Sequence, residues 1–316
     1  MNKNLDIITI GESLIELSSD EHLSSALTLE KYYGGDTLTA AVAASRMGSS
    51  VGLITRVGDD VFKDYLLESW KNEGLDISQV KISQEHNGLY FIARPAGSSK
   101  EVSCYRKRIA PSKLSVEDIS EEYIANSKVV YASGVTQSLS LSAKEMVAEA
   151  FKLARKNDVI TAYDPNYSSQ ITTPETARED FNNVISEVDV LFMNSKYDTV
   201  NILEIDSVEN IVKRISDMGV GIIVIKSTCD GGYFTAYNGN IAFEEFYTKN
   251  PVDTTCSGDA FNGGFLHALT HGLTPFEATR FASVVAGLQA KGIGAIKSIP
   301  FRDKVYEIFE KGGSNE

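Results

Sequence analysis

A carboxylate that closes a short run of small polar residues can do phosphate chemistry if a helix begins at the same point. Such a run is Asp253-Thr254-Thr255-Cys256-Ser257-Gly258-Asp259-Ala260-Phe261. Ala260, Phe261, Phe265, Leu266 and Leu269 recur at helical spacing, which predicts a tight loop opening into a helix near Ser257 to Asp259. A helix opening leaves unpaired backbone N–H groups and a partial positive charge, together a seat for an anion such as a phosphate. Gly258 lets the backbone approach a ligand closely. Asp259 then has two readings. It is either a first-turn carboxylate that favours the helix dipole, or a general base that takes the proton from a hydroxyl attacking the phosphate.

These groups need a frame. Leu5 to Ile10 is a mostly apolar run ending at Gly11-Glu12, which suits a buried parallel strand. Gly34-Gly35-Asp36-Thr37 opens an Ala-rich helix stopped by Gly48, and the glycine pair reads equally as a tight turn or as a place where a ligand meets the backbone. Val51 to Arg56 reads as a strand and Val61 to Trp70 as a helix. Further strands, Lys128 to Ala132, Val159 to Tyr163, Val188 to Met193 and Ile222 to Lys226, alternate with helical patterns at Ala143 to Lys156, Pro174 to Glu187 and Val208 to Met218. This is the signature of an α/β fold with a mostly parallel central sheet covered on both faces. One stretch breaks the alternation. Gly88 to Arg94 and Val102 to Arg106 flank Pro95-Ala96-Gly97-Ser98-Ser99 as a hairpin, and with Leu14 to Ser18 and Leu27 to Tyr33 they predict a small separate sheet, drawn from about 12–35 and 86–108.

Ligands of parallel sheets bind beyond the carboxyl ends of the strands. Gly11-Glu12, Asp164-Pro165-Asn166, Asn194-Ser195 and Lys226-Ser227-Thr228 all fall there. The string Lys226 to Gly232 could cradle a nucleotide, although it is no Walker pattern. Arg106-Lys107-Arg108 is either a solvated strand end or a clamp for an anion. Gly263 and Gly264, inside the helix after Asp259, point to close packing against a neighbouring strand. His267 and His271 stand four apart, a metal-capable spacing without a carboxylate partner.

The composition narrows the partners. A net charge of −13 argues against nucleic acid and anionic membrane surfaces, which call for clustered Lys and Arg. Three scattered cysteines argue against a disulfide framework or a zinc site, and no signal pattern or long apolar run stands out, so a cytoplasmic protein of one domain over residues 1–316 is expected.

With these motifs in order, the chain resembles the ribokinase-like (PfkB) sugar kinases over nearly its whole length. Their C-terminal signature, Asp-Thr-x-Gly-Ala-Gly-Asp-x-Phe, corresponds to Asp253 to Phe261, with Cys256 and Ser257 in place of Gly-Ala. The N-terminal glycine pair and helix correspond to Gly34 to Gly48. Gly11-Glu12-Ser13-Leu14-Ile15-Glu16-Leu17, Gly88-Leu89-Tyr90 and Tyr105-Arg106 are most similar to 2-keto-3-deoxygluconate kinases. The resemblance implies a three-layer fold with a β-sheet lid, and transfer of the γ-phosphoryl group of ATP to a primary hydroxyl of a sugar or sugar acid. It implies Asp259 as base, the amides of Cys256, Ser257 and Gly258 as anion hole, and Mg²⁺ on the nucleotide phosphates. Asn194, Lys226, Ser227, Thr228 and Gly231 would meet ATP. Gly34, Gly35, Asp36, Tyr90, Tyr105, Arg106 and Asn166 would face the substrate. Asp253, Thr255, Gly294 and Ser298 match a monovalent-cation loop, with K⁺ as the ion. Apart from the resemblance, an exposed lid-sheet edge would offer a surface for a homodimer. Where the resemblance places an acid three residues after Asn194 stands Tyr197, with Asp198 one place later; Ser168 and Thr228 replace an arginine and a glycine. The substrate expected is 2-keto-3-deoxygluconate. The alternatives are fructose, ribose or 5-dehydro-2-deoxygluconate, or a non-catalytic sugar- or nucleotide-binding sensor.

Overall fold

The computed structural model describes residues 3–97 and 99–312. Alternating side chains along each central strand sort the core into two layers. Ile7, Val129, Tyr131, Ala162, Phe192 and Val224 pack on one face with the helices Asp36–Met47, Ser257–Thr270 and Pro275–Gln289. Ile8, Val130, Ala132, Tyr163, Leu191 and Ile223 pack on the other with Leu141–Lys156, Pro174–Val184 and Val208–Ser216. Both faces are therefore apolar, as a doubly covered sheet requires.

Eight strands form this sheet. Six are parallel and lie side by side in the order Ile222–Ser227, Val190–Asn194, Ile160–Asp164, Ser127–Ser133, Leu5–Ile10 and Val51–Ile54. The edge beyond Ile222–Ser227 is an antiparallel hairpin, Gly232–Tyr237 with Asn240–Glu245. The sequence reading took the start of this segment only as a nucleotide cradle. Its turn is nonetheless written in Asn238-Gly239, both at positive φ (49° and 76°), the pair that a two-residue hairpin favours.

The lid is a four-stranded sheet of Glu30–Gly34, Leu14–Ser19, Gly88–Ala93 and Glu101–Tyr105. The hairpin expected around 95–99 forms, with Ser98 outside the described residues. Polar contacts fasten the lid to the loop ahead of the Ser257–Thr270 helix: Arg94 pairs with Asp253 at 2.6 Å, and Lys100 donates to the Thr255 hydroxyl at 2.8 Å. Among the described residues no helix is long and apolar enough to cross a membrane.

Gly263 and Gly264 are accounted for by helix packing, where a neighbouring strand was expected. A Cβ on Gly263 would collide with the Ala40 carbonyl in helix Asp36–Met47, and one on Gly264 would press on Val285 at 3.0 Å. Three buried helices cross here, and only a bare backbone lets them approach so closely.

Candidate active site

Asp259 lies in the first turn of the helix Ser257–Thr270 and is buried. The residue capping that helix, Cys256, takes the left-handed conformation (φ 57°, ψ 17°), which an L-residue adopts at a cost. The loop amides divide. Ser257 donates to the Thr254 carbonyl at 3.2 Å and Asp259 to Cys256 at 3.1 Å, while the N–H groups of Cys256 and Gly258 meet no acceptor among the described residues. Those two amides are the free donors of the expected anion seat; the Ser257 amide is already engaged.

Four carboxylates from four segments converge beside this helix start. Asn166, held at φ 44°, offers its side-chain amide to Asp259 at 3.3 Å and to Asp36 at 3.5 Å. Asp164, the last residue of its strand, accepts Lys226 Nζ at 2.5 Å and Asn262 Nδ2 at 2.6 Å. Asp198 accepts the backbone N–H of Asn194 at 2.6 Å and of Tyr167 at 2.8 Å. Burial and the Asp36 charge push the Asp259 carboxyl up to about 8, with Lys226 pulling the other way. Asp198 is pushed up to about 7 by burial and by Asp164. Burial alone would lower Lys226, but Asp164, then Asp259 and Asp198, leave it raised. Its ammonium lies 3.4 Å from where a Cβ of Gly258 would stand, so the cation points at the anion seat.

Asp198 answers the departure noted in the sequence. Tyr197 is 49% exposed, and the acid one place later is the one that turns inward. The chain then runs at π-helical pitch over Thr199–Leu203, the local form that absorbs one extra residue in a turn.

A cleft of 1210 Å³ runs from these groups along the carboxyl ends of the strands. Its walls include Asp164, Asn166, Ser168, Asn194, Asp198, Lys226, Thr228, Gly231, Tyr233 and Phe246, and it ends at Cys256 to Asp259. Four of the five residues expected to meet a nucleotide line it. Ser227 is instead folded into the turn, donating to Asp230 at 2.5 Å and accepting from Ser195.

Gly34, Gly35, Tyr90 and Arg106, expected to face a substrate, meet around the inner edge of the lid, while Asn166 lines the cleft beside Asp259. A Cβ on Gly35 would collide with the Glu12 carbonyl, and one on Gly34 would sit 2.7 Å from the Tyr90 hydroxyl. Tyr90 donates that hydroxyl to Glu16, and Arg106 pairs with Glu12. Both guanidiniums, of Arg94 and Arg106, are thus ion-paired, but their Nε atoms, Oε2 of Glu12, Oε1 of Glu16 and the hydroxyls of Ser13 and Thr37 are buried with no hydrogen-bond partner among the described residues. Such a cluster of orphaned donors and acceptors is costly unless a polar ligand satisfies it. Tyr105 is not brought in. It pairs with Leu89 and so lies on the opposite face of the lid from Tyr90, 64% exposed and edge-on to Phe91. Lys107 and Arg108 are likewise exposed, which leaves Arg106 alone of the basic trio inside.

Of the paired histidines, His267 belongs to the core and His271 is exposed. His267 spends one ring nitrogen on Ser49 and the other on Tyr306, both at 2.8 Å, and burial drives it down to about 3.

The sequence matches the pfkB family of carbohydrate kinases over residues 4–302. This chain belongs to that family. A 5-dehydro-2-deoxygluconokinase of Clostridium perfringens is 27% identical over 318 residues, covering 98% of this chain and 94% of the relative. The solved 2-dehydro-3-deoxygluconokinase from Thermotoga maritima is similar at a TM-score of 0.88 and 20% identity, over 97% of this chain and 100% of that one. An E. coli chain solved with ATP and Mg²⁺ gives a TM-score of 0.88 at 19% identity, over 97% and 99%. The ribokinase-like fold expected from the sequence is thus the fold of this carbohydrate kinase.

For a pfkB kinase, sequence reading missed several of the groups that build the site. Asp164 stood out only by its place at a strand's carboxyl end, Asp198 only as an acid one place out of the family pattern, Glu16 only within a motif, Arg94 only within a strand, Asn262 only within the run behind Asp259, and Gln289 not at all. The signal for Asp164 was present as a lone charge closing the apolar run Ile160–Asp164. Asn262 carries no local signal, since its role exists only once Asp164 and Tyr131 face it.

Proposed function

We infer that this chain transfers the γ-phosphoryl group of ATP to the primary hydroxyl of a six-carbon keto-deoxy sugar acid. The observation that carries the reading is that Asp259 stands at the end of a nucleotide-sized cleft beside two free amides, with Cys256 next to it in reach of the buried, partly unsatisfied polar group under the lid. ATP fits the cleft, with its terminal phosphate toward Cys256, Gly258 and Lys226. The sugar fits beneath the lid, its hydroxyl toward Asp259. Asp259, in its ionised form, accepts the hydroxyl proton as the oxygen attacks phosphorus. Lys226 and the helix start stabilise the charge on the phosphoryl oxygens, and the clamped lid keeps water from competing for them.

Mg²⁺ fits the donor chemistry, because it is held by one or two carboxylates together with substrate phosphates and waters. Of the carboxylates lining the cleft, Asp164 and Asp198 lie nearest Lys226 and Asp259, and no preformed cluster of three His, Cys, Asp or Glu ligands exists among the described residues. When bound, the ion would neutralise phosphate charge.

Between the two keto-deoxy acids, the names of relatives that match along nearly the whole chain favour 5-dehydro-2-deoxygluconate over the 2-keto-3-deoxygluconate expected from the motifs. Both carry a carboxylate at one end and a primary alcohol at the other. The deciding experiment measures ADP release from Mg²⁺-ATP with both acids, fructose and ribose. The reading expects one of the acids to give the highest kcat/KM, and loses its support if a neutral sugar does.

Arg106 is the group expected to meet the carboxylate. Its side chain is half-buried beside Glu12, its buried Nε has no partner among the described residues, and burial lowers it to about 10. Arg106→Ala should raise the KM for the acid by ~10–10²-fold, the ~1.5–3 kcal/mol of a charge-assisted bond, and leave that for a neutral sugar nearly unchanged. Equal effects on both would remove the clamp.

A further inference from the structure

Gln289 is the last residue of the helix Pro275–Gln289, and its side chain is fully buried. Its Nε2 lies 2.9 Å from the Thr255 carbonyl, 3.4 Å from that of Gly294, 3.3 Å from that of Ala295 and 3.3 Å from the Ser298 hydroxyl. Four oxygens from two separate loops surround one nitrogen. Turned the other way, the amide would set its own oxygen against three carbonyls, so the N–H₂ end must face them.

Three of the four positions in the monovalent-cation loop that the sequence suggested, Thr255, Gly294 and Ser298, supply three of these oxygens, and Ala295 supplies the fourth. The remaining position, Asp253, has both oxygens engaged. Oδ1 accepts the backbone N–H and the hydroxyl of Thr255 at 3.0 and 2.6 Å, and Oδ2 accepts the Gly294 N–H at 3.2 Å and pairs with Arg94. Hydrogen bonds from Thr255 and Gly294, with the Arg94 charge, hold Asp253 below the usual carboxylate range in spite of its burial. The residues present do not fit an added ion, because the space among the oxygens is already filled by a donor of the right polarity.

We propose that Gln289 replaces a monovalent cation in this kinase: its amide ties the loop that becomes the anion seat to the loop 292–298, and the protein needs no alkali metal. Gln289 is a positioning residue. It touches neither ligand, but it holds the Thr255 carbonyl one residue before Cys256, whose strained conformation aims the free amides. The part of this proposal that concerns rate rests on the kinase reading; the part that concerns stability does not.

The full chain is therefore tested twice, by thermal unfolding without ligands and by ADP release, each in tetramethylammonium, lithium, sodium and potassium chloride at matched ionic strength. The wild type should show one melting temperature and one turnover in all four salts. Gln289→Ala should melt lower and turn over ~10–10²-fold more slowly in tetramethylammonium, the loss expected from a misplaced seat, and potassium should restore both along a saturable curve. Gln289→Met, which fills the space without donating, should show the loss without the rescue. A wild type whose melting temperature or turnover rises saturably with potassium overturns the proposal, as does a Gln289→Ala deficit that is the same in every salt. If Gln289→Ala fails to fold in any salt, the wild-type comparison decides. If no sugar releases ADP in any salt, the kinase reading falls and the melting comparison still decides the role of Gln289.

Discussion

Asp259→Asn is expected to fold, bind ATP and lose ~10²–10⁴-fold in turnover, the span for removing a positioned base. The same substitution should stabilise the ligand-free protein above neutral pH. Asp259 titrates near 8 in the folded chain against an ordinary value near 3.8, because burial and the neighbouring Asp36 oppose its charge. The folded state therefore binds the extra proton. Its contribution to stability is complete below about pH 4 and is lost as pH rises through about 8. The substituted amide would not titrate, so thermal melts should show the variant gaining on the wild type from about pH 4 to about pH 8.5. The rate should mirror this. In the free enzyme kcat/KM should climb with pH to a limb near 8, and Asp36→Asn should move that limb to lower pH by removing the like charge. A variant with unaltered turnover, or a wild-type limb at the ordinary carboxylate value, would take Asp259 out of the chemistry.

Lys226→Met should be the most destabilising single change at the site. Lys226 is the cation among Asp164, Asp198 and Asp259, and Asp164, which it contacts at 2.5 Å, is almost fully buried. Breaking a buried pair by removing one partner typically costs ~3–5 kcal/mol, since the other charge is left without compensation. Asn262 still donates to Asp164, which puts the expectation at the lower end of that range. Urea unfolding of the single variant and of Lys226→Met/Asp164→Asn checks it. The double variant should recover more than half of the loss, whereas a single-variant cost below ~1 kcal/mol would mean the pair behaves as an exposed one. Turnover should remain low in both, because the charge aimed at the anion seat is gone in each.

The two results bear on one design. The protein keeps four carboxylates in a largely buried site with one ammonium among them, an arrangement whose charge costs the ligand-free fold stability.

Much of this was written locally. The alternation of apolar strands with amphipathic helices determined the doubly covered sheet, because periods of two and of 3.6 residues are properties of a short stretch. The loop-to-helix junction at Asp253 to Phe261 was equally legible, since small residues, a glycine and a helical run occur in one string. Strand order and loop approach decided the rest. Asp36, Asp164, Asp198 and Asp259 are far apart in sequence and meet because neighbouring strands end at the same edge and the Ser257–Thr270 helix starts above it. Tyr105 and Tyr90 read alike in the chain, but the lid pleat sends them to opposite faces. Gln289 reads as an ordinary helix end, and only the folding of two distant loops around its amide gives it a task. A side chain's period is fixed by its neighbours in sequence, whereas the electrostatic field it feels is fixed by its neighbours in space.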